Sequence, residues 1–158
     1  MNTFKIDNIK FNNSMEITNN FIIKSFPQNY EVSFDNLQKT FSNNEIVLVD
    51  AKIQKLYNIQ HDKMIIVDAT EQNKNIETSL MVCERLLKFN FDKGCVLIAI
   101  GGGIIQDIAA FSSKIFKRGI NWIYYPTTLL SQCDSCIGGK TALNFKNYKN
   151  QLALYSAP

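Results

Sequence analysis

The chain has 158 residues, of which 46 % are apolar and 20 % are charged, and its formal net charge is +3. These values are ordinary for a globular domain with its own core, and they argue against a basic nucleic-acid-binding protein. No apolar run approaches the ~18 residues of a membrane-spanning helix, and the polar N-terminus lacks the hydrophobic stretch of a signal peptide. We therefore expect a cytoplasmic protein that binds neither nucleic acid nor membranes.

The first 44 residues are predicted to be rich in β-strand. Two segments, 21–26 (FIIKSF) and 29–34 (NYEVSF), flank a proline, which is typical of a hairpin or of two adjacent strands. Two aliphatic runs follow, EIVLVD at 45–50 and KMIIVDA at 63–69. Runs of this kind are typical of buried strands in a parallel sheet.

Helical and strand patterns then alternate. Segment 71–89 has Ile76, Leu80, Cys83 and Leu87 at helical spacing. A third aliphatic strand is predicted at 94–100 and a helix at 104–116, which Arg118-Gly119 ends, and a fourth strand covers 120–125. This alternation predicts an α/β fold, with a Rossmann-like, mostly parallel sheet flanked by helices on both faces. We expect one domain over 1–158 that includes the β-rich segment 1–44.

The unusual polar and glycine residues fall at the predicted strand ends. They are Asp50, Asp68 to Glu71, Gly101 to Gly103, and Pro126 to Thr128. Ligands of parallel α/β sheets bind at the carboxyl ends of the strands, so this coincidence is the first indication of a binding site.

Three consecutive glycines where a strand opens into a helix suit a phosphate group. Backbone N–H groups at a helix N-terminus attract an anion, and glycine allows it to approach closely. The usual dinucleotide fingerprint is G-x-G-x-x-G, but Gln106 stands at its last position. A side chain there should prevent the close packing of helix on strand, and a plain tight turn remains the alternative.

The segment after the fourth strand, PTTLLSQCDSCIGGKTALNFKNYKN, is predicted to be a long irregular loop with a function. Lys140, Lys149 and Asn150 suit a phosphate or carboxylate, with a solvated lysine-rich loop as the alternative. GGKT at 138–141 is not a P-loop, because Asp134 stands where that motif needs glycine. CDSC at 133–136 has the spacing of a redox or zinc half-site, but the only histidine, His61, is distant in sequence, which favours unreactive cysteines.

Taken together, GGGIIQD, RG, PTTLLSQCDSCIGGKT and YKN resemble the 3-dehydroquinate synthases and the wider sugar phosphate cyclases. That family reads GGG-x-x-G-D, RG, PTTLLA-x-VDSS-x-GGKT and KN, and EQNK at 71–74 matches its E-x-x-K element. The resemblance runs from about Val49 to the last residue. Gln106, Cys133, Cys136 and Lys52 depart from the family pattern, which is compatible with a relative that acts on another sugar phosphate.

The resemblance implies NAD as cofactor and a phosphorylated keto sugar, such as 3-deoxy-arabino-heptulosonate 7-phosphate, as substrate of a lyase and cyclase of the shikimate pathway. Asp107 is expected to accept hydrogen bonds from a cofactor ribose or from backbone groups. Arg118 is expected to bind substrate phosphate, often across a homodimer interface. The cofactor-binding residues implied are Asp50, Glu71, Lys74, Gly102, Gly103, Ile104, Asp107, Thr127, Thr128, Leu130, Ser135, Lys140 and Lys149. The catalytic residues implied are Lys140, Asn150, Arg118 and Asp134.

The family's zinc or cobalt ligands, a glutamate and two histidines, lie in a following helical domain. The chain ends at Pro158 before such a domain, so we expect an N-terminal domain without metal ligands, a truncated product or half of a split protein, inactive alone. A non-catalytic binding or assembly module that keeps the fold is the alternative. The iron-dependent alcohol dehydrogenases are similar in architecture but lack DSCIGGKT.

Overall fold

The computed structural model describes residues 2–6, 9–13, 20–24, 29–34 and 36–158. Contacts divide the chain into two units, Met1–Asn36 and Leu37–Pro158, which are described separately.

The first unit consists of two antiparallel strand pairs. β1 (Asn2–Ile6) pairs with β2 (Ile9–Asn13), and β3 (Asn20–Ile23) pairs with β4 (Tyr30–Ser33). The second pair confirms the predicted pairing of the two segments, although residues 25–28, where the turn was predicted, lie outside the described residues.

The second unit is built on a parallel sheet of four strands in the order β6-β5-β7-β8. The sheet strands are β5 (Glu45–Asp50), β6 (Met64–Val67), β7 (Val96–Gly101) and β8 (Trp122–Pro126). The helices are α1 (Ala51–Tyr57), α2 (Ile76–Lys88) and α3 (Gly103–Ile115). The predicted α/β class is therefore confirmed.

Side chains alternate between the two faces of the sheet, and both faces of the central strands β5 and β7 are buried. On one face, Ile46 and Leu48 of β5 pack in a cluster with residues of α2 and α3, such as Leu86 and Ile108. On the other face, strand residues pack with Ile53 of α1 and with Leu37 and Phe41 from the segment before β5. Helices therefore flank the sheet on both sides, as predicted.

Two helices differ in detail from the predicted pattern. Helix α1 was not predicted; Asp50 caps its first turn by accepting a hydrogen bond from the Lys52 N–H at 3.0 Å. In α2 the buried stripe is Ser79, Val82 and Leu86, whereas Leu80 and Leu87 are 49 % and 59 % exposed. The buried stripe thus lies about one residue before the stripe that the periodicity predicted.

The long segment after β8 is more regular than predicted. After a π-helical turn at Ser131–Ser135, β9 (Lys140–Phe145) and β10 (Tyr148–Tyr155) form an antiparallel hairpin. The expectation of an irregular loop was wrong over these strands, because Leu143 is fully buried in the cluster that includes α2 and α3. Within the described residues, no helix is both long and apolar enough to span a bilayer.

Candidate functional site

The carboxyl ends of the parallel strands bring several predicted residues to one edge of the sheet. Strand β5 ends at Asp50, β7 ends at Gly101, and β8 ends at Pro126, which is the direct neighbour of Gly101. The Thr127 N–H donates to the Gly101 carbonyl at 2.9 Å. Because α3 begins at Gly103, its N-terminus opens onto this edge.

The three glycines serve different needs. A Cβ on Gly101 would lie 2.5 Å from Cγ1 of the buried Ile105, and a Cβ on Gly102 would lie 2.9 Å from the Thr128 Cγ2. A Cβ on Gly103 would meet only the Ser135 Oγ, at 4.0 Å. Gly101 therefore allows helix α3 to pack on β7, Gly102 allows the β8 connection to approach, and Gly103 leaves an open notch.

Replacing Gly101 with alanine should therefore cost about 1–3 kcal/mol of unfolding free energy, because the new methyl group overpacks against Ile105. Replacing Gly103 with alanine should be neutral or stabilising by up to about 1 kcal/mol, because alanine favours a helix and meets no close atom there. Urea denaturation of the two variants side by side measures the difference. Equal stabilities would contradict the packing role given to Gly101.

The notch at Gly103 is suited to an anion. Helix α3 has no side-chain cap at Gly102 and no acidic residue in its first turn. The first internal hydrogen bond reaches Gly102 from the Gln106 N–H, so the backbone N–H groups before Gln106 point out of the helix end. This end carries the positive pole of the helix dipole.

Gln106 does not separate the helix from the strand, contrary to the expectation from its place in the motif. It is 4 % exposed, and its amide turns towards the π-helical turn. Its Nε2 donates to the Ser135 carbonyl at 2.5 Å, and the Ser135 Oγ donates to its Oε1 at 2.6 Å. This reciprocal pair, the Gln106–Ser135 clamp, fixes the segment that borders the notch.

Asp107 and Lys74 form a largely enclosed ion pair. The Lys74 Nζ lies 2.6 Å from the Asp107 Oδ2, with the side chains 12 % and 18 % exposed. The other carboxylate oxygen accepts from the Thr141 hydroxyl at 2.9 Å and from the Ala142 N–H at 3.2 Å. Asp107 thus accepts a backbone hydrogen bond, one of the two alternatives expected for it.

The ammonium group of Lys74 has a second partner in the hairpin. It donates to the Asn150 Oδ1 at 2.8 Å. Asn150 has a φ of 56° where the pairing register shifts between Tyr148 and Leu152, and asparagine tolerates this left-handed conformation. The irregularity turns Asn150 from the hairpin towards Lys74.

Glu71 is held by the same hairpin. Its Oε1 accepts from the Asn144 Nδ2 at 2.9 Å and lies 3.6 Å from the Lys149 Nζ. The Asn144 hydrogen bond, with the charges of Lys149 and Lys74, holds the pKa of the Glu71 carboxyl below its ordinary value despite slight burial. Thr141 and Asn144 therefore belong to the candidate site, although sequence reasoning missed them, and their only signal was their place inside the polar segment.

Two further groups border the glycines. The Thr127 Oγ1 is buried without a hydrogen-bond partner within the described residues. The Tyr124 hydroxyl donates to the Gly101 carbonyl at 3.0 Å, and burial raises the pKa of that phenol, so it stays protonated. The free Thr127 hydroxyl is a group that a bound ligand would satisfy.

Other predicted residues lie outside the hydrogen-bond network of Lys74 and Asp107. Arg118 follows the far end of α3, about 20 Å from Gly103 by the rise of a 13-residue helix. Lys140 begins β9, and both Asp134 and Leu130 lie around the π-helical turn, all three of them exposed. Within the described residues, no three or more histidine, cysteine, aspartate or glutamate side chains are arranged to hold a metal.

The matching family model decides the family. The 3-dehydroquinate synthase N-terminal model matches residues 64–158, more than half of the chain. The chain belongs to the 3-dehydroquinate synthase family. The resemblance read from the glycine, PTTLL and GGKT motifs is therefore confirmed.

Curated 3-dehydroquinate synthases are similar over most of the chain. The Campylobacter hominis protein is 36 % identical over 138 residues, which cover 82 % of this chain and 40 % of that protein. The Clostridium tetani protein is 34 % identical over 143 residues, which cover 81 % of this chain and 38 % of that protein. The chain spans about two fifths of the length of these 3-dehydroquinate synthases.

Solved structures of sugar phosphate cyclases share the fold. The 2-epi-5-epi-valiolone synthase of Streptomyces hygroscopicus subsp. jinggangensis, with NAD+ and Zn2+ bound, gives a TM-score of 0.67 at 29 % identity, over 72 % of this chain and 35 % of that one. A 2-deoxy-scyllo-inosose synthase complexed with carbaglucose-6-phosphate, NAD+ and Co2+ gives 0.64 at 25 % identity, over 72 % and 34 %.

Proposed function

We propose that this chain is the NAD-binding part of a 3-dehydroquinate synthase-like cyclase, a carbon–oxygen lyase that acts on a phosphorylated keto sugar. The uncapped N-terminus of α3, open at Gly103 on the carboxyl edge of the sheet, carries this proposal. The relatives support it, since two structural neighbours hold NAD+ and one of them a sugar phosphate analogue.

The residues present fit a dinucleotide. The diphosphate would lie against the N–H groups at Gly102, Gly103 and Ile104, where no side chain competes. Thr127, with its unpartnered hydroxyl, would face the same ligand. The ion pair of Lys74 and Asp107, with Glu71, would border the riboses. Asp50, Thr128, Leu130, Ser135, Lys140 and Lys149 complete the proposed cofactor site.

NAD, when bound, would supply transient oxidation of a secondary alcohol of the substrate. Lys140 is proposed to stabilise negative charge on the substrate by its ammonium group, and Asn150 to donate from its amide. Asp134 would orient the substrate's hydroxyl groups. Arg118, distant from the notch within one chain, would serve the phosphate site of a second copy in a cytoplasmic homodimer. The described residues provide no ligand cluster that fits a metal.

Calorimetric titration of this chain with NAD tests the proposal directly. We expect saturable binding to one site per chain, competed by ADP-ribose and by inorganic pyrophosphate because the notch recognises the diphosphate. Nicotinamide alone should not compete. Absence of any binding heat, together with an unchanged melting temperature at saturating NAD, would favour the alternative of a module that keeps only the fold.

A further inference from the structure

The segment between β8 and β9 carries two free cysteines three residues apart. Cys133 lies in the π-helical turn Ser131–Ser135 and is exposed, and Cys136 caps its end and is half-buried. Both positions depart from the family pattern, which has an apolar residue and a serine there. The cofactor site proposed above uses neither thiol.

The spacing allows the two thiols to be joined only with a local change of shape. Residues three apart in an α-helix have Cα atoms about 5 Å apart, and a π-helical turn, which is wider and rises less per residue, keeps them within the range of about 4.4–6.8 Å that a disulfide spans. Their Cβ atoms are about 5–6 Å apart, whereas a disulfide requires about 4 Å. Forming the bond therefore tightens the turn around the two residues between them, Asp134 and Ser135.

Ser135 connects this turn to the notch. Its carbonyl oxygen and its hydroxyl both belong to the Gln106–Ser135 clamp, with bonds of 2.5 and 2.6 Å. Its Oγ is also the atom nearest to a Cβ placed on Gly103. A displacement of Ser135 therefore reaches the place where the diphosphate is proposed to bind.

We propose that Cys133 and Cys136 form a reversible redox-modification site, at which exchange with a low-molecular-weight disulfide such as oxidised glutathione closes an intramolecular disulfide and weakens dinucleotide binding. The effect on NAD rests on the proposed function, whereas formation of the disulfide does not.

The chemistry balances in two exchange steps. The Cys133 thiolate attacks one sulfur of oxidised glutathione, which forms a mixed disulfide and releases one glutathione thiolate. The Cys136 thiolate then attacks the Cys133 Sγ and releases the second. The two protein thiols lose two protons and two electrons, and both are taken up by the two glutathiones formed.

The surroundings set the order of attack. The Cys136 Sγ donates to the Gln132 carbonyl at 3.2 Å, and burial raises the pKa of its thiol. Cys133 is the exposed member of the pair and meets the oxidant first. A metal does not explain the pair, because no third ligand joins it within the described residues.

Mass spectrometry of the chain equilibrated in glutathione buffers tests the bond. Trypsin releases residues 119–140 as one peptide that holds Cys133 and Cys136 and excludes Cys83 and Cys95. We expect this peptide to lose two hydrogens as the buffer becomes oxidising and to recover them with dithiothreitol. The variant Cys136→Ser should show only the mixed disulfide. Failure of the wild-type peptide to close in the most oxidising buffer would overturn the proposal.

Calorimetry with NAD on the reduced and oxidised forms tests the consequence. We expect about tenfold weaker binding after oxidation, the scale of one well-placed hydrogen bond. The double variant C133S/C136S should bind equally in all buffers. Unchanged affinity in a fully oxidised wild type would overturn the coupling.

Hydrogen exchange separates this proposal from the proposed function. If reduced protein does not bind NAD, the proposed function fails, but oxidation should still change amide exchange over 131–137, because the disulfide reshapes the turn that contains these amides. Identical exchange in both redox forms would overturn the switch itself.

Discussion

The variant Gly103→Asp is expected to bind NAD about a hundredfold more weakly than the wild type, while its thermal stability is unchanged or higher. A carboxylate about 4 Å from a phosphate repels it by about 4 kcal/mol at the effective dielectric near a protein surface, and solvent screening reduces this to the expected loss. The fold tolerates the change because a Cβ at Gly103 meets no atom closer than 4.0 Å. An acid in the first turn also stabilises a helix by about 0.3–1 kcal/mol.

The matched control is Gly103→Asn, which has the same shape without the charge. We expect it to lose less than about tenfold in affinity, since steric contact alone remains. Calorimetry gives both affinities, and thermal melting reports the fold. Equal losses of affinity in the two variants would mean that the bound group is not anionic. Wild-type affinity in both variants would show that the diphosphate does not bind at this helix end.

The variant Asp107→Asn is expected to lower the free energy of unfolding by about 2–4 kcal/mol, because it leaves the enclosed Lys74 ammonium without its charge partner. An asparagine can still accept from Thr141 or Ala142, but its NH2 group would then face the Lys74 Nζ, which now lies 2.6 Å from the carboxylate. Urea denaturation with linear extrapolation gives the change.

The second ion pair of the site provides the comparison. Lys149 and Glu71 are 3.6 Å apart with side chains 72 % and 47 % exposed, so Lys149→Met should cost less than about 0.5 kcal/mol. A loss in Asp107→Asn no larger than in Lys149→Met would show that the enclosed pair is not a stabilising element.

The sheet could be predicted because its two central strands, β5 and β7, are aliphatic on both faces. Residues 46–49 of β5 and 97–100 of β7 are all fully buried, and continuous runs of this kind have few alternatives in a chain of this length. The position of the candidate site followed from the same inference, since parallel strands place their carboxyl ends at one edge of the sheet. The glycines at 101–103 then marked the strand end with the most unusual backbone.

Helix α1 and the hairpin were missed for different reasons. Helix α1 has seven residues, too few for helical periodicity to show. The sequence did contain two weaker signals, an aspartate suited to cap its start (Asp50) and an asparagine suited to the left-handed conformation at its end (Asn58). In the hairpin, lysines and asparagines masked the alternation of buried Thr141 and Leu143. Its strands are stabilised by packing on the rest of the unit, which a local pattern does not reveal.

The partners within the site could not be read from the chain. Lys74 and Asp107 are 33 positions apart, and Gln106 and Ser135 are 29 apart, so only the folded topology brings them together. For Gln106, the sequence indicated a departure from the glycine motif but not which way the side chain would point. The amide is accommodated because it faces the π-helical turn, while Gly101 alone provides the close approach of helix to strand.

The hairpin β9–β10 also sets an order of events during translation. Thr141, Asn144 and Asn150, which complete the polar contacts of Asp107, Glu71 and Lys74, all follow the last strand of the parallel sheet. Chains emerge from the ribosome N-terminal end first, so the strands of the sheet leave it before these residues do. Nascent chains whose exposed part ends between β8 and β9 would therefore have the sheet without these polar contacts, and completion of the proposed cofactor site becomes a late step of biogenesis.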